Sequence, residues 1–257
     1  MKLPKLNPVS PDKLLNFSVT TSWGIRDPAR FHALIAEAMK LVSPGYHVGD
    51  NLVTWGKNNS ALEDGLFRQA WESNLRSEAD RAMVWRRYVL ACAGYHCTQL
   101  PGDFVECGVL YGTGIKTVVD YLGGARFTKT FWGYDAFEFS QVDGAPADKQ
   151  GDFLAEVRKR FEGYPKVKLV KGMVPASLRR APRRICYLHL DLNQVEAEVA
   201  ALERLFDRVV TGGLVVLDDY EWSGKYRPQK IAEDAWFEAR SYRVFPLPTG
   251  QGLVLKR

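Results

Sequence analysis

The chain predicts an α/β fold: a mostly parallel seven-stranded sheet closing in an antiparallel hairpin, preceded by an irregular, partly helical N-terminal extension. Two observations carry this. From Phe104 onward, short β-rich apolar runs alternate with amphipathic windows of helical length, as parallel strands joined by helical crossovers require. The tail then breaks the alternation with two short strands whose connection is too short for a parallel crossover.

Taken in order, residues 28–42 read as a helix, and a Gly/Asn/Trp-rich segment follows over 43–60. A longer helix is expected over 77–95, where Val84, Tyr88, Ala91 and Cys92 recur at helical spacing. The boundary is therefore set at 76. Residues 1–76 form an extension suited to acceptor or homo-oligomer contacts, and 77–257 form the α/β domain. Strands are expected over 104–107, 131–134, 167–170, 185–190 and 214–217, with helices over 113–122, 152–161, 195–206 and 227–240. The hairpin pairs 242–245 with 253–255, and Gly250-Gln251-Gly252 reads as turn chemistry.

The 257 residues carry 35 Lys+Arg against 30 Asp+Glu, a net charge of +5, with 46% apolar and 25% charged residues. These proportions exclude collagen-like, coiled-coil and disordered classes. The charge is too mild for nucleic acid, which needs a concentrated basic face. No apolar run reaches the roughly 18–20 residues of a membrane span, and the first 30 residues hold no uninterrupted apolar stretch of the secretory kind. Four cysteines make no disulfide framework at this length, so a cytoplasmic setting is expected.

The segment Asp103-Phe104-Val105-Glu106-Cys107-Gly108-Val109-Leu110-Tyr111-Gly112-Thr113-Gly114 is a strand, a glycine turn and a helix start. Ligands of open parallel sheets sit beyond the carboxyl ends of the strands, near the switch point. Gly108 and Gly112 let the backbone approach such a ligand. A phosphate loop would need Lys-Ser/Thr after its last glycine, and Gly114 is followed by Ile115-Lys116-Thr117. Glu106 would repel pyrophosphate and suits a ligand bearing positive charge, such as the amino group or sulfonium of S-adenosylmethionine. Asp135, closing the next strand, is placed to accept ribose hydroxyls or, more plainly, to cap its own loop. Gly172, after the third strand, leaves room for an adenine or makes an ordinary turn.

Three aspartates end adjacent strands: Asp191 after Cys186-Tyr187-Leu188-His189-Leu190, and Asp218 with Asp219 after Leu214-Val215-Val216-Leu217. Converging carboxylates suit a hard divalent cation, most simply Mg²⁺, and without one they raise one another's pKa. A hydroxyl acceptor could then lose its proton to Asp191 or to His189, two residues earlier on the same strand face. For His189 a packed strand residue is the plainer alternative. Trp85, Tyr111, Trp222 and Tyr226 are candidates to stack on an acceptor, or else core aromatics. The cluster Arg179-Arg180-Ala181-Pro182-Arg183-Arg184 reads as a solvated loop.

Together these residues resemble the macrocin O-methyltransferase family, the TylF-type sugar O-methyltransferases. The matching stretches are GDFVECGVLYGT (102–113), YDAFEF (134–139), VKGMVPASL (170–178), LHLDL (188–192) and GGLVVLDDY (212–220), in family order. The resemblance implies a Rossmann-like class I methyltransferase fold. It implies S-adenosylmethionine held by Glu106, Gly108, Tyr111, Gly112, Thr113, Asp135 and Gly172, and Mg²⁺ at Asp191, Asp218 and Asp219. Asp191 would double as base, a sugar or small-molecule hydroxyl would be the acceptor, and a lid would lie over 136–150. The chain departs from the family's Leu-Asp-Gly-Asp-x-Tyr-Glu-Ser: Asn193 replaces a carboxylate and the tyrosine is gone. That departure leaves a catalytically altered binding protein as an alternative. A nicotinamide oxidoreductase is a third, disfavoured by Glu106 and by the terminal hairpin.

Overall fold

The computed structural model describes residues 14–139 and 151–257. Its centre is a seven-stranded sheet of β4 (Asp103–Cys107), β5 (Phe131–Asp135), β8 (Val167–Lys171), β9 (Ile185–Leu190), β10 (Val209–Leu217), β11 (Phe245–Pro246) and β12 (Gly252–Leu255). The order is β11-β12-β10-β9-β4-β5-β8. The pairs β10–β9, β9–β4, β4–β5 and β5–β8 are parallel, and β12 runs antiparallel to β10 and β11. The expected fold class is thus observed. Chain order reverses at β4 and β9, which makes their carboxyl ends the switch point.

Side-chain alternation along the strands builds two cores. On one face Phe104, Phe131, Tyr187 and Val216 pack against α5 (Val84–Cys97) and α6 (Thr113–Tyr121). On the other, Val105, Leu188, Val215 and Leu217 pack with residues of α8 (Val195–Leu205) and α9 (Arg227–Glu238). At Gly94 a Cβ would lie 3.0 Å from Val118 Cγ1, so the glycine lets α5 close on α6. The helix expected over 77–95 is broken at Met83 into α4 (Glu78–Ala82), capped by Ser77 Oγ accepting from Asp80 N, and α5. Strand β10 starts five residues earlier than expected. Gly212 and Gly213 lie in an irregular register step within the strand against β9.

The extension is more ordered than its composition indicates. Strands β1 (Phe17–Ser18), β2 (His47–Gly49) and β3 (Leu52–Thr54) make a small sheet, and α1 (Pro28–Met39) is capped by Asp27 accepting from Arg30 N. Helices α2 (Ser60–Glu63) and α3 (Gly65–Glu72) follow. Phe17, Phe67 and Trp71 share one core with Phe104 and Ile115, so residues on both sides of position 76 are packed together. Strands β6 (Glu138–Phe139) and β7 (Gly151–Asp152) pair antiparallel ahead of α7 (Leu154–Arg160). The expected lid at 136–150 lies, beyond residue 139, outside the described residues. Among those residues no helix is long and apolar enough to cross a membrane.

Candidate active site

Beyond the carboxyl ends of β4 and β9 lies a cavity of about 330 Å³. Glu106, Gly108, Tyr111, Thr113 and Asp191 line it from the sheet side, and Arg76, Ser77, Asp80, Met83 and Arg87 from the α4–α5 side. Five expected site residues therefore meet in one place. Gly108 has φ +90°, and the turn it makes is anchored by its N–H donating to Tyr134 O at 2.9 Å. Asp191 N donates to Cys107 O at 2.8 Å and fixes the end of β9 alongside.

Gly112, Asp135 and Gly172 stand behind this wall. Gly112 starts α6 at φ +76°, and a Cβ there would meet the Phe161 ring at 2.7 Å. The Asp135 carboxylate faces the backbone: Oδ2 accepts from Val109 N (2.7 Å) and Leu110 N (2.8 Å), and Oδ1 from Phe137 N (2.7 Å). Through Oδ1 it caps its own loop, the plainer of its two expected roles, and through Oδ2 it buttresses the glycine turn, a role not among those expected. Gly172 N donates to Asp135 O at 2.8 Å and so ties β8 to β5.

Glu106 and His189 are register partners on β4 and β9, both on the α5–α6 face. His189 Nδ1 lies 2.9 Å from Glu106 Oε2, and Nε2 lies 3.5 Å from Asp218 Oδ1, long for a hydrogen bond but close for an ion pair. Burial disfavours the imidazolium, yet the two carboxylates outweigh it and push the His189 pKa up to about 10. That direction runs against His189 as the proton acceptor, and the ring is only 1% exposed.

Asp191 is partly exposed at the cavity edge and accepts from Asn193 Nδ2 at 3.0 Å. Desolvation and the nearby Asp218 and Asp219 push its pKa well up. Asp219 is raised to about 6, mainly by burial and then by Asp218. Asp218 is held far below the usual carboxylate range, because Arg86 first and then His189 overcome its desolvation.

The sequence reading did not single out Arg86, and it proves central. Its guanidinium forks onto Asp50 (Nε–Oδ2 2.8 Å, Nη2–Oδ1 3.2 Å), while Nη1 donates to Asp218 Oδ2 at 2.8 Å and Asp219 Oδ1 at 3.1 Å. Gln251, read only as turn chemistry, is fully buried and donates to Asp218 Oδ1 at 2.8 Å. Two adjacent arginines in the apolar window Val84-Trp85-Arg86-Arg87-Tyr88 are the signal that could have found this helix face.

The expected three-aspartate metal set is not what these residues assemble. Among the described residues one group of three has donor atoms within 4.8 Å of one another: His189, Asp191 and Asp218, without Asp219. Of the expected aromatics, Tyr111 lines the cavity under the Arg76 guanidinium (4.1 Å) and Trp222 covers Arg86 (4.9 Å), while Trp85 packs on Tyr88. Tyr226 is close enough to Asp219 and Asp191 for both to raise its pKa, though burial is the larger cause. Arg179, Arg180, Arg183 and Arg184 are solvent-exposed as expected, although the first two end a short 3-10 helix (Ala176–Arg180) rather than lying in a loop.

A seven-stranded sheet of this order and direction, with an acidic glycine turn at the switch point, is the frame of the class I methyltransferases. Within that class the chain belongs to the macrocin-O-methyltransferase (TylF) family, whose model matches residues 90–230. A curated relative from Streptomyces olivaceus, 8-demethyl-8-(2,3-dimethoxy-alpha-L-rhamnosyl)-tetracenomycin-C 4'-O-methyltransferase, is 30% identical over 142 residues. That match covers 47% of this chain and only 54% of the relative. Among solved structures, the O-methyltransferase NovP superposes with a TM-score of 0.58 at 20% identity, covering 67% of this chain and 80% of NovP. The calicheamicin methyltransferase CalS11 gives 0.54 at 18% identity, covering 70% and 80%. At such identities these two likenesses speak for the fold.

Proposed function

We propose that this chain is an S-adenosylmethionine-dependent O-methyltransferase acting on a hydroxyl of a small-molecule or glycosyl acceptor. The observation that carries the reading is the pairing of Glu106 and Asp191 on one cavity at the switch point, where a nucleotide phosphate would be repelled and a cation is welcome. The cavity suits the amino-acid end of that cofactor. Glu106 offers a buried carboxylate to its cationic groups, Gly108 leaves the turn open, and Arg87, whose buried Nε has no hydrogen-bond partner, faces its carboxylate. When bound, S-adenosylmethionine would supply an electrophilic methyl group on a sulfonium, for transfer to the acceptor oxygen with sulfur as the leaving group.

Asp191 accepts the hydroxyl proton as that bond forms. Its raised pKa makes it a better base than an ordinary carboxylate, provided the pH keeps it ionised. Asn193 favours retained catalysis: its amide donates to Asp191 Oδ1, where the family's carboxylate would repel it. Mg²⁺ at Asp191, Asp218 and Asp219 does not fit, because both oxygens of Asp218 and one of Asp219 already face Arg86 and Gln251. The activity named for the Streptomyces olivaceus relative, a 4'-O-methylation on a rhamnosyl group, supports a sugar acceptor here. The extension contributes Asp50 and Arg76 to the site edge, and the free cysteines support a reducing, cytoplasmic setting.

Calorimetry with S-adenosylhomocysteine, run beside NADH, tests the reading. Stoichiometric binding of the first is expected. Preference for NADH, or silence toward both, would overturn it.

A further inference from the structure

Resting on the methyltransferase reading, we infer that Arg86 holds the place a divalent cation would take among the strand-end carboxylates, so that Asp218 and Asp219 form a guanidinium site and the acceptor is engaged without a metal. Three features carry this. The first is reach: one guanidinium, 5% exposed, contacts Asp50, Asp218 and Asp219 together, and Trp222 closes over it with its ring 4.9 Å away. A planar fork on a fixed helix can bridge three carboxylates in a way a flexible ammonium cannot.

The second is saturation. Asp218 Oδ2 receives Arg86, and Oδ1 receives Gln251, itself held by Thr249 Oγ1 donating to Gln251 Oε1 at 3.0 Å. Mg²⁺ demands near-octahedral oxygen ligands at about 2.0–2.1 Å, so these contacts would have to be broken for it to enter. The third is charge. The Arg86 guanidinium reaches Asp218 at 2.8 Å while the His189 ring stands 3.5 Å from its other oxygen, and a dication pressed in beside the guanidinium meets like charge at short range.

The test titrates the full-length protein with Mn²⁺ alone, followed by its electron paramagnetic resonance signal, with thermal unfolding measured in Mg²⁺ and in EDTA. For the wild type the free-Mn²⁺ signal should stay undiminished and the two unfolding midpoints should coincide. In Arg86→Met the released carboxylates should bind Mn²⁺ at least roughly tenfold more tightly, about 1.4 kcal/mol. Should that variant not fold, Arg86→Lys retains a charge but cannot bridge all three partners, and it should bind more tightly than wild type as well. Tight 1:1 binding by the wild type, abolished by Asp218→Asn, would overturn the inference. Failure of S-adenosylhomocysteine to bind would instead sink the methyltransferase reading, and the Mn²⁺ result would still decide whether the cluster takes a metal.

Discussion

A Cβ placed on Gly108 would stand 1.8 Å from the carbonyl oxygen of Asp191. The glycine turn after β4 and the strand end carrying the proposed base thus touch backbone to backbone, and no side chain fits between them. Gly108→Ala should force the two strand ends apart, with φ +90° adding its own penalty. The expected loss is about 1–3 kcal/mol of stability or more, together with cofactor binding. Denaturant unfolding and S-adenosylhomocysteine calorimetry check both, and a variant near wild type in the two would contradict the packing.

Asp191→Asn keeps the shape of the site and removes the proton acceptor. Methyl transfer should fall by about 10²–10⁴-fold while S-adenosylhomocysteine affinity stays within a few-fold. The wild-type rate should also climb as pH rises through the elevated Asp191 pKa and then level. A rate that is flat with pH, or a variant that loses affinity as well as turnover, would argue against the base.

Removing Asp135 leaves the N–H groups of Val109, Leu110 and Phe137 without their acceptor. The cost for Asp135→Ala is about 1–3 kcal/mol for each donor left buried, less where water reaches it. Cofactor affinity should fall because the turn loosens. Hydrogen exchange at Val109 and Leu110 reads this directly, and protection equal to wild type would show that the carboxylate is dispensable.

Glu233 is fully buried on α9, and both its oxygens lack a hydrogen-bond partner. Burial first, then Glu198, raises its pKa to about 9. The unfolded chain releases this proton near 4.5 and the folded one keeps it to about 9, so stability should fall as pH rises across that window. Glu233→Gln should flatten the fall and raise the unfolding midpoint at pH 8 by several degrees, about 4 °C or more. Parallel pH profiles for the two proteins would refute the assignment.

Much of this was legible in the sequence, because parallel strands with helical crossovers write a strong period change and the glycine turn has few other uses. The strand ends carrying Glu106, Asp191, Asp218 and Asp219 followed from that topology alone. What could not be read was pairing across distance. That His189 is neutralised by Glu106 depends on the β4–β9 register, and that Asp135 turns to backbone depends on a loop's local geometry. Arg86 was hidden because helical spacing marks a buried face without saying which strand ends it meets, and Gln251 because a glycine-flanked residue looks like a turn.

The partners of Asp218 come from opposite parts of the chain: Arg86 from α5, Gln251 from the connection leading into β12. During synthesis the helix is complete long before residue 251 leaves the ribosome. A chain stalled between them holds an aspartate with one hand clasped and the other empty. The carboxylate cluster is therefore completed only when the connection into β12 is made.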